Sequence, residues 1–417
     1  MVRIAVFTHY FGPEIGAPSA RIGDLAFEWA LSGCGVDVVT CFPNHPSGKI
    51  YPGFRSESYH KERLNGYDVH RNWTYVTPNT GILRKTAGHM SFWLSSKFNT
   101  VPRLPQVSCT IGTSPTFFAA MAARDCARRQ RVPFIMEVRD LWPAIFRDLG
   151  VIRNPVILAI LEKWEKALYR SAARIVTVTD AFRDNLMARG VPPEKLITIT
   201  NGADTDFWNP HSSSSESLKH SLGLEGKFVV LYIGAHGISQ ALECQLHAAA
   251  RLQHIENIKF VFVGEGADKR GLESKAQELG LRNVQFHPAC GRERVREYYR
   301  MADLCLVPLR AIPQFDAFIP SKMFEIMSME RPILASLTGE AAGILRRSGS
   351  ASVVPPEDDE ALASMIIELS SRPRLLAEMG VAGRNFVESK YSRRQLANRY
   401  LEVIRDATEG WKESGPV

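Results

Sequence analysis

A chain of 417 residues, 45% hydrophobic and 23% charged, has the balance of an ordinary folded protein and is long enough for two domains. Its formal charge of +7 favours polyanionic partners, while the lack of a zinc-finger or RNA-recognition signature argues against nucleic acid. Seven scattered cysteines without a Cys-x-x-Cys pair argue against a disulfide framework or a zinc site.

Residues 1–10 read as a strand rather than a signal peptide, and no run approaches the ~18 apolar residues of a membrane span, so the chain is expected in the cytoplasm. The strand at 2–8 runs into a loop with Gly12, Glu14 and Gly16 and then an amphipathic helix carrying Ile22, Leu25 and Trp29. The glycines would let backbone approach a diphosphate, but the spacing is not Gly-x-Gly-x-x-Gly, which disfavours a dehydrogenase. A second strand is expected at 36–41, and residues 43–66, rich in Pro, Gly, Ser and charge, read as a long loop. Residues 81–104 mix Arg84, Lys85, His89 and Lys97 with Phe92, Trp93 and Phe98, a composition that suits an interfacial helix or a surface helix with one buried face.

Strands at 107–113, 133–138, 174–179 and 195–200 alternate with helical segments, the pattern of a doubly wound parallel sheet. Ligands of such sheets bind beyond the carboxyl ends of the strands, which singles out Arg139 and Asp140, although Asp140 could instead cap the next helix. The turn-rich stretch from Asn201 to Pro210, with the serines behind it, marks a boundary, and Asp204 and Asp206 read there as turn formers rather than metal ligands. The alternation then restarts, with strands at 228–233, 260–263, 284–286, 304–308 and 333–336, a helix at 240–253, and helical segments at 359–381 and 392–407.

In this second half, Pro320-Ser-Lys-Met-Phe-Glu325 reads as the start of a helix that stops at Arg331-Pro332. Free N–H groups and a positive dipole end favour phosphate there, Ser321 and Lys322 add a hydroxyl and a charge, and Glu325 shares a face with Lys322, where it could accept ribose hydroxyls. A solvated ion pair between Lys322 and Glu325 is the competing interpretation.

Those features, with Val138-Arg-Asp-Leu-Trp-Pro143, Asn201-Gly-Ala-Asp-Thr-Asp-Phe207, Tyr232-Ile-Gly-Ala-His-Gly237 and Phe262-Val-Gly-Glu-Gly266, resemble the family 4 glycosyltransferases over nearly the whole chain. They look most like the branch that builds bacterial surface polysaccharides, including N-acetyl-L-fucosamine transferases. The resemblance implies an α/β GT-B fold: two doubly wound Rossmann-like domains facing across a cleft, an acceptor-side domain at 1–205, a nucleotide-sugar domain at 206–390, and a helix at 391–417 crossing back to the first.

It further implies retaining transfer, without metal or other cofactor, from a UDP-linked sugar such as UDP-L-FucNAc to a glycan or polyprenyl-diphosphate-linked acceptor, at the inner face of the cytoplasmic membrane. Asp140, Arg139 and Lys322 fall at the reaction centre, and Gly16, Gly234, His236, Ser239, Cys290, Ile319, Ser321, Lys322 and Glu325 around the donor. Glu14, Arg84, Lys85, Phe92 and Trp93 fall on the acceptor and membrane side. Three features depart from the family pattern, at four positions: the first glutamate of its paired motif falls on Ala317 beside Asp316, its histidine on Arg139, and its phosphate-binding basic pair on Ala235 and Gln240. A sugar-nucleotide epimerase, or a non-catalytic sugar-nucleotide-binding subunit, are the alternative readings.

Overall fold

The computed structural model describes residues 2–14, 16–45, 47–77, 82–114, 116–141, 154–211 and 216–414. The chain divides into two compact units, residues 1–200 with 393–417, and residues 201–392. The division falls slightly before the expected boundary at 205/206. Trp142, Pro143 and the serines at 212–215 lie outside the described residues.

The first unit is built on β1 (Arg3–Phe7), β2 (Gly35–Cys41), β3 (Tyr59–Leu64), β4 (Tyr67–Asn72), β5 (Cys109–Thr113), β6 (Phe134–Val138), β7 (Arg174–Thr177) and β8 (Leu196–Thr198). They form one sheet in the order β3-β4-β2-β1-β5-β6-β7-β8, parallel except for the edge strand β3. The central strands are almost continuously apolar because helices cover both faces. The stretch 43–66 is therefore not all loop: β3 pairs with β4 through a turn at Asn65 (φ 47) and Gly66 (φ 91). Asn-Gly is a strong two-residue hairpin signal. The polar alternation Tyr-His-Lys-Glu-Arg-Leu of β3 suits an exposed edge.

The second unit carries β9 (Phe228–Ile233), β10 (Ile258–Val263), β11 (Val284–His287), β12 (Leu304–Pro308), β13 (Ile333–Ser336) and β14 (Ala351–Val354), all parallel, in the order β11-β10-β9-β12-β13-β14. The expected helix at 359–381 is two helices, Asp359–Ser370 and Pro373–Lys390, because Pro373 cannot continue the first and opens the second.

The last helix, Arg393–Ser414, belongs to the first unit. Its Leu396, Ala397, Tyr400, Leu401 and Ile404 join a buried cluster with Ile22, Leu25 and Trp29 of the helix Ala17–Leu31. The Trp29 indole N–H donates to the Ala397 carbonyl at 3.1 Å and its ring meets Tyr400 edge-on. Each such fully buried side chain contributes about 1.5–3 kcal/mol. Beneath this layer Arg21 pairs with Glu137 at 3.2 Å and donates to the carbonyls of Ile199 and Thr200, so the last residues of the unit's first segment are tied to its core.

Candidate active site

In each sheet the strand order reverses once beside the first strand, between β1 and β5 and between β9 and β12. Ligands of open parallel sheets bind at the carboxyl edge near such a reversal. In the second unit β9 leads into Gly234 (φ 142) and β10 into Gly264 (φ 150), both in backbone that disfavours any other residue. A Cβ on Gly234 would lie 2.5 Å from Lys322 Nζ, and one on Gly264 would strike the Gly234 carbonyl. Glycine at 234, immediately beyond β9, leaves room for the lysine head.

Lys322 is half-buried, and its Nζ lies 4.1 Å from the centroid of the Tyr232 ring. Among the described residues it has neither a carboxylate nor a hydrogen-bond partner. Burial pushes it down to about 8, against the Glu325 charge that supports its ammonium form. Glu325 is pushed up to about 7 by burial, offset by Arg292 and Lys322, and accepts a long 3.5 Å hydrogen bond from Tyr299. The pair shares an environment without forming a contact ion pair.

The helix that carries them is short, Lys322–Ser328, rather than running to Arg331. Glu330 takes a left-handed conformation (φ 53) before Pro332. Ser321 makes no cap; its hydroxyl accepts from Asn201 at 3.1 Å. A seven-residue helix offers little dipole, so the Lys322 charge has to carry more of any anion binding than the sequence suggests. The Ile319 side chain is buried in the core, which leaves only its backbone for a ligand.

His236 lies fully buried against Tyr232 and Phe286, with neither ring nitrogen bonded among the described residues. Burial and the ammonium of Lys269 are the main causes that push it to about 4, leaving it neutral. Ser239 sits in the turn Ile238–Gln240, its carbonyl accepting from the Arg310 N–H just beyond β12. Cys290 is half-buried after β11, its thiol pushed up by burial. Asp316, beside the departing Ala317 position, accepts from the Thr338 hydroxyl. Asp204 accepts from the N–H groups of Asp206 and Phe207, as a turn former does.

In the first unit the Ser114 hydroxyl, just beyond β5, accepts from the N–H groups of Arg139 at 2.8 Å and Asp140 at 3.4 Å. Burial pushes Asp140 up to about 6 against the opposing Arg139 charge, and Arg139 down to about 10. One guanidinium nitrogen of Arg139 is buried without a partner among the described residues. A carboxyl near 6 and an unspent guanidinium at a strand end can exchange a proton with, or orient, a hydroxyl or phosphate.

At the same edge, His9 beyond β1 packs its ring 4.5 Å from His89 and 5.4 Å from Phe92, and Tyr10 meets His45 at 5.0 Å. His9, Tyr10, His45 and His89 line, with Lys85, a cavity of about 40 Å³. Burial, helped by the Lys85 charge, lowers His89 to about 4. His9, Tyr10 and His45 escaped the sequence reading; their only signal was position, immediately beyond the ends of β1 and β2.

The remaining acceptor-side residues divide. Glu14 is buried and accepts from the N–H groups of Asn44 and His45, so it holds the loop after β2. Arg84 and Lys85 are exposed. Phe92 is fully buried, and Trp93 is half-buried with its N–H on Asp125 at 3.0 Å, so neither presents its ring to a membrane surface. Among the described residues, the exposed apolar side chains of that helix are Met90, Leu94 and Phe98. Gly16 precedes the helix Ala17–Leu31 in the first unit, in extended backbone (φ 161).

Comparison with known proteins agrees with this architecture. Residues 16–202 match the "Glycosyl transferase 4-like domain" and residues 214–386 the "Glycosyl transferases group 1" family. The chain is 26% identical to WcaI of Escherichia coli K12 over 97% of its own length and 100% of the relative's; that protein's name provisionally places it in colanic acid biosynthesis as a glycosyl transferase. The fold matches sucrose-phosphate synthase from Thermosynechococcus elongatus (TM-score 0.77, 18% identity, 98% of this chain and 100% of that one). It also matches HepE from Anabaena in complex with UDP and glucose (TM-score 0.73, 15% identity, 97% and 100%). With two Rossmann-like units of parallel sheet, and with both family matches spanning most of its length, the chain belongs to the GT4 family of glycosyltransferases of the GT-B fold.

Proposed function

We propose that this glycosyltransferase moves an N-acetyl-aminosugar, such as L-FucNAc, from a UDP donor to a glycan or polyprenyl-diphosphate-linked acceptor in bacterial surface-polysaccharide synthesis. Transfer proceeds with retention and without a metal, at the inner face of the cytoplasmic membrane. The observation that carries the donor assignment is Lys322: a half-buried ammonium without a carboxylate or hydrogen-bond partner among the described residues, beside a strand end where only glycine fits. A donor diphosphate supplies the missing partner, and Glu325 in its carboxylate form accepts the ribose hydroxyls one turn further on. The polysaccharide setting is supported by the likeness to WcaI, and UDP by the fold shared with HepE, whose structure holds it. The amino sugar, retention and metal independence rest on the resemblance of the motifs.

In this reaction the bond from the anomeric carbon to the diphosphate oxygen breaks while the acceptor oxygen bonds to the same face. The departing diphosphate oxygen takes the acceptor hydroxyl's proton. Lys322 stabilises the charge that develops on that oxygen, an effect commonly worth ~3 kcal/mol per donor removed. The test is a panel of UDP-, GDP- and dTDP-sugars scored for nucleotide release with and without acceptor, in buffer with and without EDTA, with the product's anomeric configuration read by NMR. Release confined to a GDP or dTDP donor, or an inverted product, defeats the assignment.

A further inference from the structure

The opposite edge of the first unit's sheet holds a larger feature that the transfer reaction does not use. Phe134 and Arg174 begin β6 and β7, and Lys195 immediately precedes β8, so these residues mark the amino edge of three parallel strands. Arg139 and Asp140 lie beyond the other end of β6, which at about 3.3 Å per residue is roughly 16 Å away. At the amino edge is a cavity of about 900 Å³. That is within the size range of sites for small organic ligands.

Its floor is apolar, made by Val132, Phe134 and Ala407, and Trp411 forms one wall with its indole N–H on the Arg131 carbonyl at 3.2 Å. Six cations surround it: Arg124, Arg128, Arg131, Arg170, Arg174 and Lys195. No carboxylate lines it among the described residues. Arg174 is paired with Asp406 at 2.6 Å, and Arg124 contacts Asp125 at 3.5 Å while its Nε is buried without a partner among the described residues. Among the described residues Lys195 donates to the carbonyls of Arg170 and Ala172 and to no carboxylate. Arg128, Arg131 and Arg170 are exposed and have no ion-pair partner among the described residues.

Arg128 and Arg170 stand at helix C-termini, where a cation is favoured by about 0.3–1 kcal/mol. That accounts for each singly. It does not account for four cations without a carboxylate partner among the described residues, Arg128, Arg131, Arg170 and Lys195, gathered around one apolar-floored void, an arrangement that favours an anion.

We propose that this cavity is a second ligand site, taking a phosphate- or pyrophosphate-bearing molecule whose apolar body seats on Val132, Phe134 and Trp411 while the guanidinium groups fork its phosphate oxygens. Arginine is suited to such bidentate contacts. The same chemistry is offered by a soluble nucleotide and by a phospholipid headgroup.

The experiment uses the full chain with three probes: inorganic pyrophosphate and ATP in calorimetry, and phosphatidylcholine vesicles with and without phosphatidylglycerol in flotation. Two variants address the site. One combines Arg128→Gln, Arg131→Gln and Arg170→Gln, all exposed; the other is Gly410→Phe, whose added Cβ meets nothing within 4 Å and whose ring occupies the cavity without changing charge. Lys322→Ala separates this site from the donor cradle. The expected result is binding that survives Lys322→Ala and weakens by roughly tenfold or more in both cavity variants. If pyrophosphate or ATP behaves so, the ligand is a soluble phosphate; if only the anionic vesicles do, it is a headgroup. Binding that is lost in Lys322→Ala and unchanged in both cavity variants, or no binding by any probe, overturns the proposal.

Discussion

The Lys322 ammonium stands over the face of Tyr232, whose hydroxyl in turn donates to the Ala235 carbonyl at 2.6 Å. The ring thus orients the lysine and fixes the loop after β9 in one arrangement. A cation–π contact of this kind is worth about 0.5–2 kcal/mol, less than the charge-assisted bonds a diphosphate offers. Lys322→Ala is expected to lose roughly 2–3 kcal/mol of UDP affinity or turnover. Tyr232→Phe, which keeps the ring and drops the hydroxyl, should lose no more than about 1 kcal/mol. Calorimetry with UDP checks both, and unchanged affinity in Lys322→Ala would reduce the lysine to a surface cation.

The pH dependence of UDP binding should report the same two groups. Glu325 becomes a carboxylate above about 7, and Lys322 stays an ammonium below about 8. Affinity is therefore expected to rise through the first value and fall through the second. The signs for stability differ: the raised Glu325 favours the folded unit at low pH and loses that contribution as pH climbs from about 4.5 to about 7. Depressed Lys322 penalises it until pH passes from about 8 to about 10.5. Glu325→Gln should abolish the acid limb of binding and Lys322→Arg the alkaline limb; limbs that persist in both variants belong to other groups.

Asp140 gives a separate test in the first unit. Raised to about 6, it favours the folded state at low pH and loses that contribution as pH rises from about 4 to 6. Asp140→Asn should flatten that slope in a plot of melting temperature against pH. If the carboxyl handles a substrate proton or hydroxyl, turnover should fall on the order of 10²-fold with the melt preserved at neutral pH. Full activity would leave Asp140 as a structural carboxyl.

The last helix makes a prediction about folding. Trp29 and Tyr400 are both fully buried in their shared cluster. Tyr400→Ala should cost about 3–5 kcal/mol, as large-to-small changes of buried aromatics do, and Trp29→Phe about 1 kcal/mol through the lost bond to Ala397. Denaturant unfolding measures both. A Tyr400→Ala protein as stable as the parent would mean that this helix does not hold the first unit together.

Much of this architecture can be read from apolar runs alone, because buried parallel strands announce themselves without alternation, as in β1, β9 and β10. The strand β3 was hidden by its polarity, and only Asn65-Gly66 pointed to it. Lys322 and Glu325 were legible because their helix spacing is local. His9, His45 and His89 were not, since they come together only when β1, the loop after β2 and the helix Ile82–Asn99 meet at one sheet edge. Phe92 and Trp93 were misplaced because composition does not say which face of a helix turns inward.

The inward turn of Phe92 and Trp93 decides where membrane contact should be sought. If the acceptor is lipid-linked, the enzyme has to reach a bilayer surface, and among the described residues no helix is long and apolar enough to cross one. On the helix Ile82–Asn99, among the described residues, the apolar side chains open to solvent are Met90, Leu94 and Phe98, spaced four apart and so aligned along one face. Exposed Arg84 and Lys85 on the same helix supply cations, each worth about 1 kcal/mol near an anionic surface, while Lys97 is already paired with Asp125 at 3.4 Å. Wild type is expected to float with phosphatidylglycerol vesicles at low salt and to be released at high salt. Met90→Gln with Leu94→Gln and Phe98→Ser should abolish flotation while leaving the melt intact. Trp93→Ser should instead lower the melting temperature, through the lost bond to Asp125 and the lost contact with Phe118, without a specific loss of flotation. A triple variant that floats as well as wild type would remove this helix from any membrane contact.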